Sequence, residues 1–290
     1  MVKAIDLQVQ IGVEGKIPFK DKERFDILMK YFKASSKVIM SEEEWIAGMK
    51  NADVCGVVWT GGFRSIGWKD LDEVKRQNDY VGELIKKYPD VIVGAWVALD
   101  PDWGRAGVKE LERCIYDLKT FGVAVCGAFT GIPADDYRWY PYYEVCEDAD
   151  VPIKIWVGHL AYGSGQPGGW GIKLWTERPI PHVDNVAADF PKLKIICAHY
   201  AWPFEKEMAS VLIHKGNVYN ELHGWLPRYF DESFKREINT RLQDKIMFGS
   251  DYPWFSYERL FQDWESQGFK PEVLEKVFVK NAQKVLKLEF

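Results

Sequence analysis

Short apolar runs rich in Val and Ile recur along the chain, separated by longer stretches whose apolar residues return every three or four positions. The runs read as strands over residues 4–10, 54–59, 91–97, 123–129, 152–157, 194–198, 218–222 and 245–248. Most are apolar almost throughout, as strands covered on both faces must be. Between them, the stretch 71–88 puts Leu71, Val74, Val81, Leu84 and Ile85 on one helical stripe, and 107–121 and 140–149 keep the same period. Tyr88-Pro89-Asp90 and Phe190-Pro191-Lys192 end helices just ahead of the next strand. Strands alternating with helices need a crossover at every return, hence parallel pairing. No linker divides the chain and no short repeat is visible. The pattern predicts one α/β domain over 1–290, a (β/α)8 TIM barrel. A helical insertion at 21–50 follows strand one, and a Gly-rich loop at 163–171 follows strand five.

A barrel of this kind gathers its chemistry at the carboxyl ends of the strands. On strand one a period of two sends Asp6, Gln8 and Gln10 to one side. Strand two ends at Trp59 and strand four at Phe129, while strand five carries Lys154 and Trp156 on one face and runs into Gly158-His159. Strand six ends in His199, strand seven in Glu221 and His223, and strand eight in Ser250-Asp251. His182 and His214 lie elsewhere. Such a mouth is polar, titratable and aromatic, which suits a small-molecule site.

Composition narrows the classes further. With 290 residues, 28% charged and 47% hydrophobic, the chain can build a full core without staples. A net charge of -5 and the lack of a long Lys/Arg cluster exclude a nucleic-acid partner. The opening Met1-Val2-Lys3-Ala4-Ile5-Asp6 turns acidic too early for a secretory leader, and no apolar run approaches the ~20 residues of a membrane span. A cytoplasmic chain without a membrane partner is expected. Cys55, Cys114, Cys126, Cys146 and Cys197 are odd in number and form no CxxC pair, so free thiols in a reducing compartment are predicted. The 13 tryptophans are many, and several stand at the mouth.

Several segments carry a resemblance. They are 188–199 (ADFPKLKIICAH), Asn217-Val218-Tyr219, Phe248-Gly249-Ser250-Asp251-Tyr252-Pro253 and Asn281-Ala282, with Val151-Pro152-Ile153 and Ile5-Asp6 in support. On these the chain resembles, nearly end to end, the amidohydrolase superfamily, in the branch related to aminocarboxymuconate-semialdehyde decarboxylase. The resemblance implies a divalent metal held by an H-x-H pair ending strand one, a His ending strand five and an Asp ending strand eight. A second His, ending strand six, assists catalysis. Here Gln8 and Gln10 stand at the strand-one pair and Trp156 at the strand-five position, leaving His199 and Asp251. Imidazole is a good zinc ligand, a carboxamide oxygen a poor one, and an indole none. The expectation is no catalytic metal and no other cofactor. Glu221, His223, His199 and Asp251 offer a relocated site as the alternative, against which strands six to eight supply ligands from one side only. The family also implies a homodimer.

Without a dication, Asp251 must be hydrogen-bonded, paired or protonated. Lys154, one rung deeper than Trp156, is the candidate cation, balanced by Asp6, Asp251 or both. A desolvated Asp251 becomes a general acid or base, with His199 orienting a water or polarising a carbonyl. Gln8 and Gln10 either donate to a substrate oxygen, as an oxyanion hole does, or bond to each other in the space of the missing histidines. Trp59, Trp156 and Phe129 stack on a flat ring or pack the upper layer. Arg64 clamps a substrate carboxylate or stays an exposed loop residue. His159 and His223 complete the candidate substrate-binding set. The Gly-rich loop lacks the GK[ST] ending of a phosphate loop. It reads either as a lid carrying Trp170 and Trp175 or as a surface excursion. The resulting expectation is a metal-independent hydrolase of a lactone, β-diketone or β-ketoacyl compound. The alternatives are a non-oxidative decarboxylase (a carbon–carbon lyase) of a hydroxylated aromatic acid, and a non-catalytic ligand-binding barrel.

Overall fold

Every apolar run forms a strand in the computed structural model, which describes residues 2–32 and 38–289. The strands are β1 (Ala4–Val9), β2 (Val54–Trp59), β3 (Ile92–Ala98), β4 (Val123–Val125), β5 (Ile153–Trp156), β6 (Ile195–Ala198), β7 (Val218–Glu221) and β8 (Ile246–Met247). Each pairs in parallel with the next, in the order β1 to β8. The ring closes where Leu7 N donates to Phe248 O at 3.0 Å and Asp251 N to Gln8 O at 2.9 Å. Val9 and Tyr252 add a parallel bridge there. This is the predicted α/β barrel.

The first helices are α1 (Lys22–Tyr31), α2 (Glu42–Asn51), α3 (Leu71–Lys87), α4 (Gly104–Asp117), α5 (Gly127–Thr130) and α6 (Tyr140–Asp148). In α3 the predicted stripe buries Val74, Val81 and Leu84, with Lys86 and Lys87 in the last turn, where the helix dipole favours cations. The predicted insertion divides into two parts. Helix α2 opens on a capping box of Ser41 and Glu44 and packs beside β2 as the ordinary crossover, so α1 is the added element. Phe25 and Leu28 of α1 are buried, and the Phe25 ring meets Trp254 at 5.7 Å, which places this helix over the mouth. Residues 33–37 of the predicted insertion lie outside the described residues.

Strand four stops at Val125, short of the predicted 129, and the chain turns into α5. The reason is a close approach. A Cβ on Gly127 would lie 2.8 Å from both Cβ and O of Thr176, and Ala128 N donates to the buried Glu177 carboxylate. All five cysteines are free and buried. Among the described residues no helix is long and apolar enough to cross a membrane.

One buried side chain fixes the end of β6. Asn220 on β7 donates from Nδ2 to Cys197 O and His199 O, both at 2.9 Å. The backbone it holds is left-handed, with φ of 79° at His199 and 64° at Ala201, a conformation costing L residues roughly 1–2 kcal/mol. Asn220→Ala removes both bonds and is expected to lower stability by roughly 1–3 kcal/mol in a denaturant titration. An unchanged midpoint would contradict that role.

Candidate functional site

A cavity of about 550 Å³ opens at the carboxyl ends of the strands. That volume falls within the ~300–1,000 Å³ of small-molecule sites. Trp59 and Phe129 form one wall, with ring centroids 6.1 Å apart and 16° between planes, and Trp156 stands 5.9 Å from Trp59. Phe19 and Trp254, from the loops around α1 and after β8, pack edge to face at 6.5 Å over the opening. The polar part of the wall is Gln10, His199, His223 and Asp251.

Beneath this cavity lies Lys154, fully buried. Its Nζ donates to Glu221 Oε1 at 2.7 Å, Gln8 Oε1 at 2.6 Å and Leu7 O at 2.7 Å, which uses all three ammonium protons. The rings of Trp96 and Trp156 flank the same charge at 5.4 and 5.2 Å. Burial lowers the Lys154 pKa, and the Glu221 charge opposes that shift. For Glu221, burial alone pushes upward, but the charges of His223 and Lys154 hold its carboxyl down at about 2. Three acceptors around Nζ, one of them a carboxylate, fit an ammonium, and the pair is ionic.

The expected partners of Lys154, Asp6 and Asp251, are thus replaced by Glu221. Asp6 is already occupied. It accepts from Gln8 N and Ser250 N at 3.0 Å, from Tyr257 Oη at 2.8 Å, and from Ser250 Oγ. Its burial pushes its pKa up to about 7.

From Glu221 a chain of contacts climbs to the cavity. His223 Nδ1 meets Glu221 Oε1 at 2.6 Å, and His223 Nε2 faces Asp251 Oδ1 at 3.8 Å. Because an ionised carboxylate only accepts, the Nδ1 proton sits on His223 and Nε2 is left to face Asp251. Gln10 Nε2 donates to the same Asp251 oxygen at 3.0 Å. His199 packs its ring 4.2 Å from that of His223. Burial, then the His223 charge, hold the His199 pKa well below its ordinary value, so its imidazole is neutral. A Cβ at Gly224 (φ +75°) would lie 3.4 Å from His199 Nε2 and 3.6 Å from Asp251 Oδ2, so this glycine sits against both side chains. Asp251 also has a left-handed backbone, with φ 61°. Among the wall's buried polar atoms without a partner are Gln10 Oε1, His199 Nδ1 and Trp59 Nε1. Unpaired buried groups are costly, and sites that bind ligands are where such costs collect.

Eight of the sequence-derived candidates line the cavity: Gln10, Trp59, Phe129, Trp156, His159, His199, His223 and Asp251. Three do not. Gln8 and Lys154 are fully buried under the mouth, occupied with each other, and reach no ligand. The two glutamines therefore form neither an oxyanion pair nor a mutual bond. One serves the ammonium and the other Asp251. Arg64 is spent on Asp100, 3.0 Å away, and on Asp102, outside the cavity wall. Trp170 packs on Tyr162 at 4.8 Å and half-exposed Trp175 on His182 at 5.7 Å, and neither lines the cavity. The wall residues absent from the sequence-derived set, among them Phe19, Leu28, Tyr162, Trp254 and Arg259, sit on α1, on loops and short turns, or on the helix after β8. The aromatic run Tyr252-Pro253-Trp254-Phe255 directly after Asp251 was their one local signal.

The divalent metal that the resemblance implies does not fit these residues. The Gln8 oxygen accepts from an ammonium, Gln10 turns its nitrogen to Asp251, and Trp156 offers no lone pair. Glu221 drops out of the relocated set, because its Oε1 is held by Lys154 and His223 Nδ1 and its Oε2 by the His223 amide. Among the described residues no group of three or more His, Cys, Asp or Glu side chains is arranged to hold a metal ion. A dication placed ~4 Å from the ammonium would be repelled by roughly 8 kcal/mol at an effective dielectric of ~20.

A family model described as Amidohydrolase matches residues 57–288. The chain is 28% identical over 156 residues to the 2-keto-4-carboxy-3-hexenedioate hydratase of a Sphingobium species, covering 47% of this chain and 44% of that one. It is 23% identical over 207 residues to the 2-amino-3-carboxymuconate-6-semialdehyde decarboxylase of Dictyostelium discoideum, covering 63% and 57%. The match thus spans about half the length of these curated relatives. Among solved structures, a dihydroxybenzoic acid decarboxylase from a Polaromonas species, with bound manganese and 2-nitroresorcinol, superposes with a TM-score of 0.69. It is 18% identical and covers 99% of this chain and 98% of that one.

The Asp6 carboxyl gives a pH prediction with a definite sign. Its folded value of about 7 lies above the ordinary 3.8, so the folded state holds this proton more tightly than the unfolded chain. The resulting stability is fully present below 3.8 and is lost as the pH rises through about 7. Denaturant midpoints measured across that range are expected to fall more steeply for the wild type than for Asp6→Asn. Parallel pH profiles would show that Asp6 does not titrate in this way.

Proposed function

The chain belongs to the amidohydrolase family, and on that premise we propose that it is a carbon–carbon lyase releasing CO2 from a hydroxylated aromatic acid. The observation that carries the reading is the meeting of a flat aromatic slot, Trp59 against Phe129, with the Asp251 side chain at its polar wall. Two of the proteins it resembles are decarboxylases by name, and one of them acts on a dihydroxybenzoic acid. The ring lies in the slot. Its hydroxyl supplies the donor that Gln10 Oε1 lacks, and neutral His199 takes part in the same hydrogen bonding. Asp251 in its protonated form gives its proton to the ring carbon that bears the carboxylate. The new C–H bond forms there, the electrons of the C–COO⁻ bond return to the ring, and CO2 leaves. Gln10 steadies the Asp251 carboxylate that results, and His223, backed by Glu221, returns a proton from solvent.

The hydrolase reading loses support for a stated reason. It needed the glutamine amides as oxyanion donors, but Gln8 is fully buried and does not line the cavity, and Gln10 Nε2 donates to Asp251. The test is a panel holding 2,6-dihydroxybenzoate, other hydroxybenzoates and simple lactones, run in D2O. The expected result is CO2 release from a hydroxybenzoate, with deuterium at the vacated ring carbon. Asp251→Asn should lower that turnover by about 10²–10⁴-fold. Lactone opening without CO2 release from any acid would overturn the proposal, as would tight binding of the acids with no turnover.

A further inference from the structure

We propose that the Lys154 ammonium is the resident cation of this mouth, and that its charge is what keeps a divalent metal out. The inference concerns the electrostatics of the site and holds whichever bond the enzyme breaks. Lys154 enters the barrel from β5, two residues before the Trp156 indole, and its Nζ bonds to Gln8 Oε1, the oxygen at the first strand-one ligand position. The ammonium thus holds the side-chain oxygen at one of the implied ligand positions. Its counter-charge is Glu221, whose Oε1 also meets His223 Nδ1, so ammonium and imidazole share one carboxylate oxygen and His223 Nε2 is the nitrogen turned to Asp251. Residues facing this charge come from every side of the floor: Leu7 and Gln8 of β1, Trp96 of β3, Trp156 of β5 and Glu221 of β7. The floor oxygens of Leu7, Gln8 and Glu221 already accept from the ammonium, and its three protons leave no lone pair on the nitrogen.

Two causes could exclude the metal, the missing imidazoles or the ammonium, and a variant series separates them. The full-length protein is compared with Gln8→His/Gln10→His/Trp156→His, in which Lys154 stays, and with the same triple variant carrying Lys154→Met. Each is equilibrated with manganese or zinc alone, desalted, and assayed for metal content and for the melting shift the metal produces. Wild type and triple variant are expected to retain under about 0.1 metal per chain with no shift, and the quadruple variant about one metal per chain with a raised melting temperature. Circular dichroism checks folding. Should the methionine leave Glu221 so poorly matched that the quadruple variant does not fold, Lys154→Gln in its place keeps a hydrogen-bond donor for that carboxylate and takes over the comparison. Stoichiometric metal in the wild type would overturn the proposal. Equal metal uptake by the triple and quadruple variants would overturn it too, since the lysine would then be a bystander.

Discussion

Everything at the mouth of this barrel depends on one buried ion pair, Lys154 with Glu221, 2.7 Å apart and both removed from water. Charges buried this deeply are tolerable only when fully paired and hydrogen-bonded, because desolvation costs several kcal/mol per ion. Lys154 meets that condition with three acceptors, and Glu221 does so with the ammonium, the His223 ring and the His223 backbone amide. Removing one partner would leave the other stranded, a change that typically costs ~3–5 kcal/mol. The pair also determines what stands above it. With Glu221 ionised, His223 is oriented. Once His223 is oriented, Asp251 faces a nitrogen on one side and the Gln10 amide on the other.

Much of this was legible in the chain. Continuous apolar runs and stripes of period three to four gave the strand order and the helix positions, because both sheet faces are buried and α3 shows a single apolar face. Reading the strand ends then collected most of the cavity wall. The partner of Lys154 was not legible, since it depends on strand stagger. The register sets Lys154 beside Ile196 and Tyr219, whereas Glu221 pairs at the level of Trp156 and Ala198. The long lysine stem climbs one rung to reach it. Alternation along one strand cannot show that climb. Asp6 looked equally placed, but Ser250 and Tyr257, which converge on it from the loop after β8 and the helix that follows, had already claimed its oxygens.

Two other differences have local causes. Residues 126–129 have strand-like composition, yet the contact of Gly127 with Thr176 and the buried Glu177 carboxylate turn them into a helical turn. Arg64 sits where a substrate clamp would be useful, but acidic Asp100 and Asp102 after β3 lie within its reach. Partners so far apart in sequence leave no periodic trace. The aromatic cover from α1, from the loop before it and from the segment after Asp251 takes a path the pattern does not encode, although it contributes much of the cavity wall.

The barrel superposes on one solved with bound manganese, yet it carries two amides and an indole where the resemblance implies metal ligands, with an ammonium beneath them. Charge balance links these changes, because an internal lysine makes histidine ligands to a dication unfavourable, and amides beside it are neutral acceptors. The most direct test is a crystal structure of the protein grown with manganese, with anomalous scattering collected at the mouth. The account predicts no anomalous peak beside Asp251 and a Lys154 Nζ still within ~3 Å of Glu221 Oε1. A manganese peak shared by Glu221, His199 and Asp251, with the lysine swung away, would contradict it.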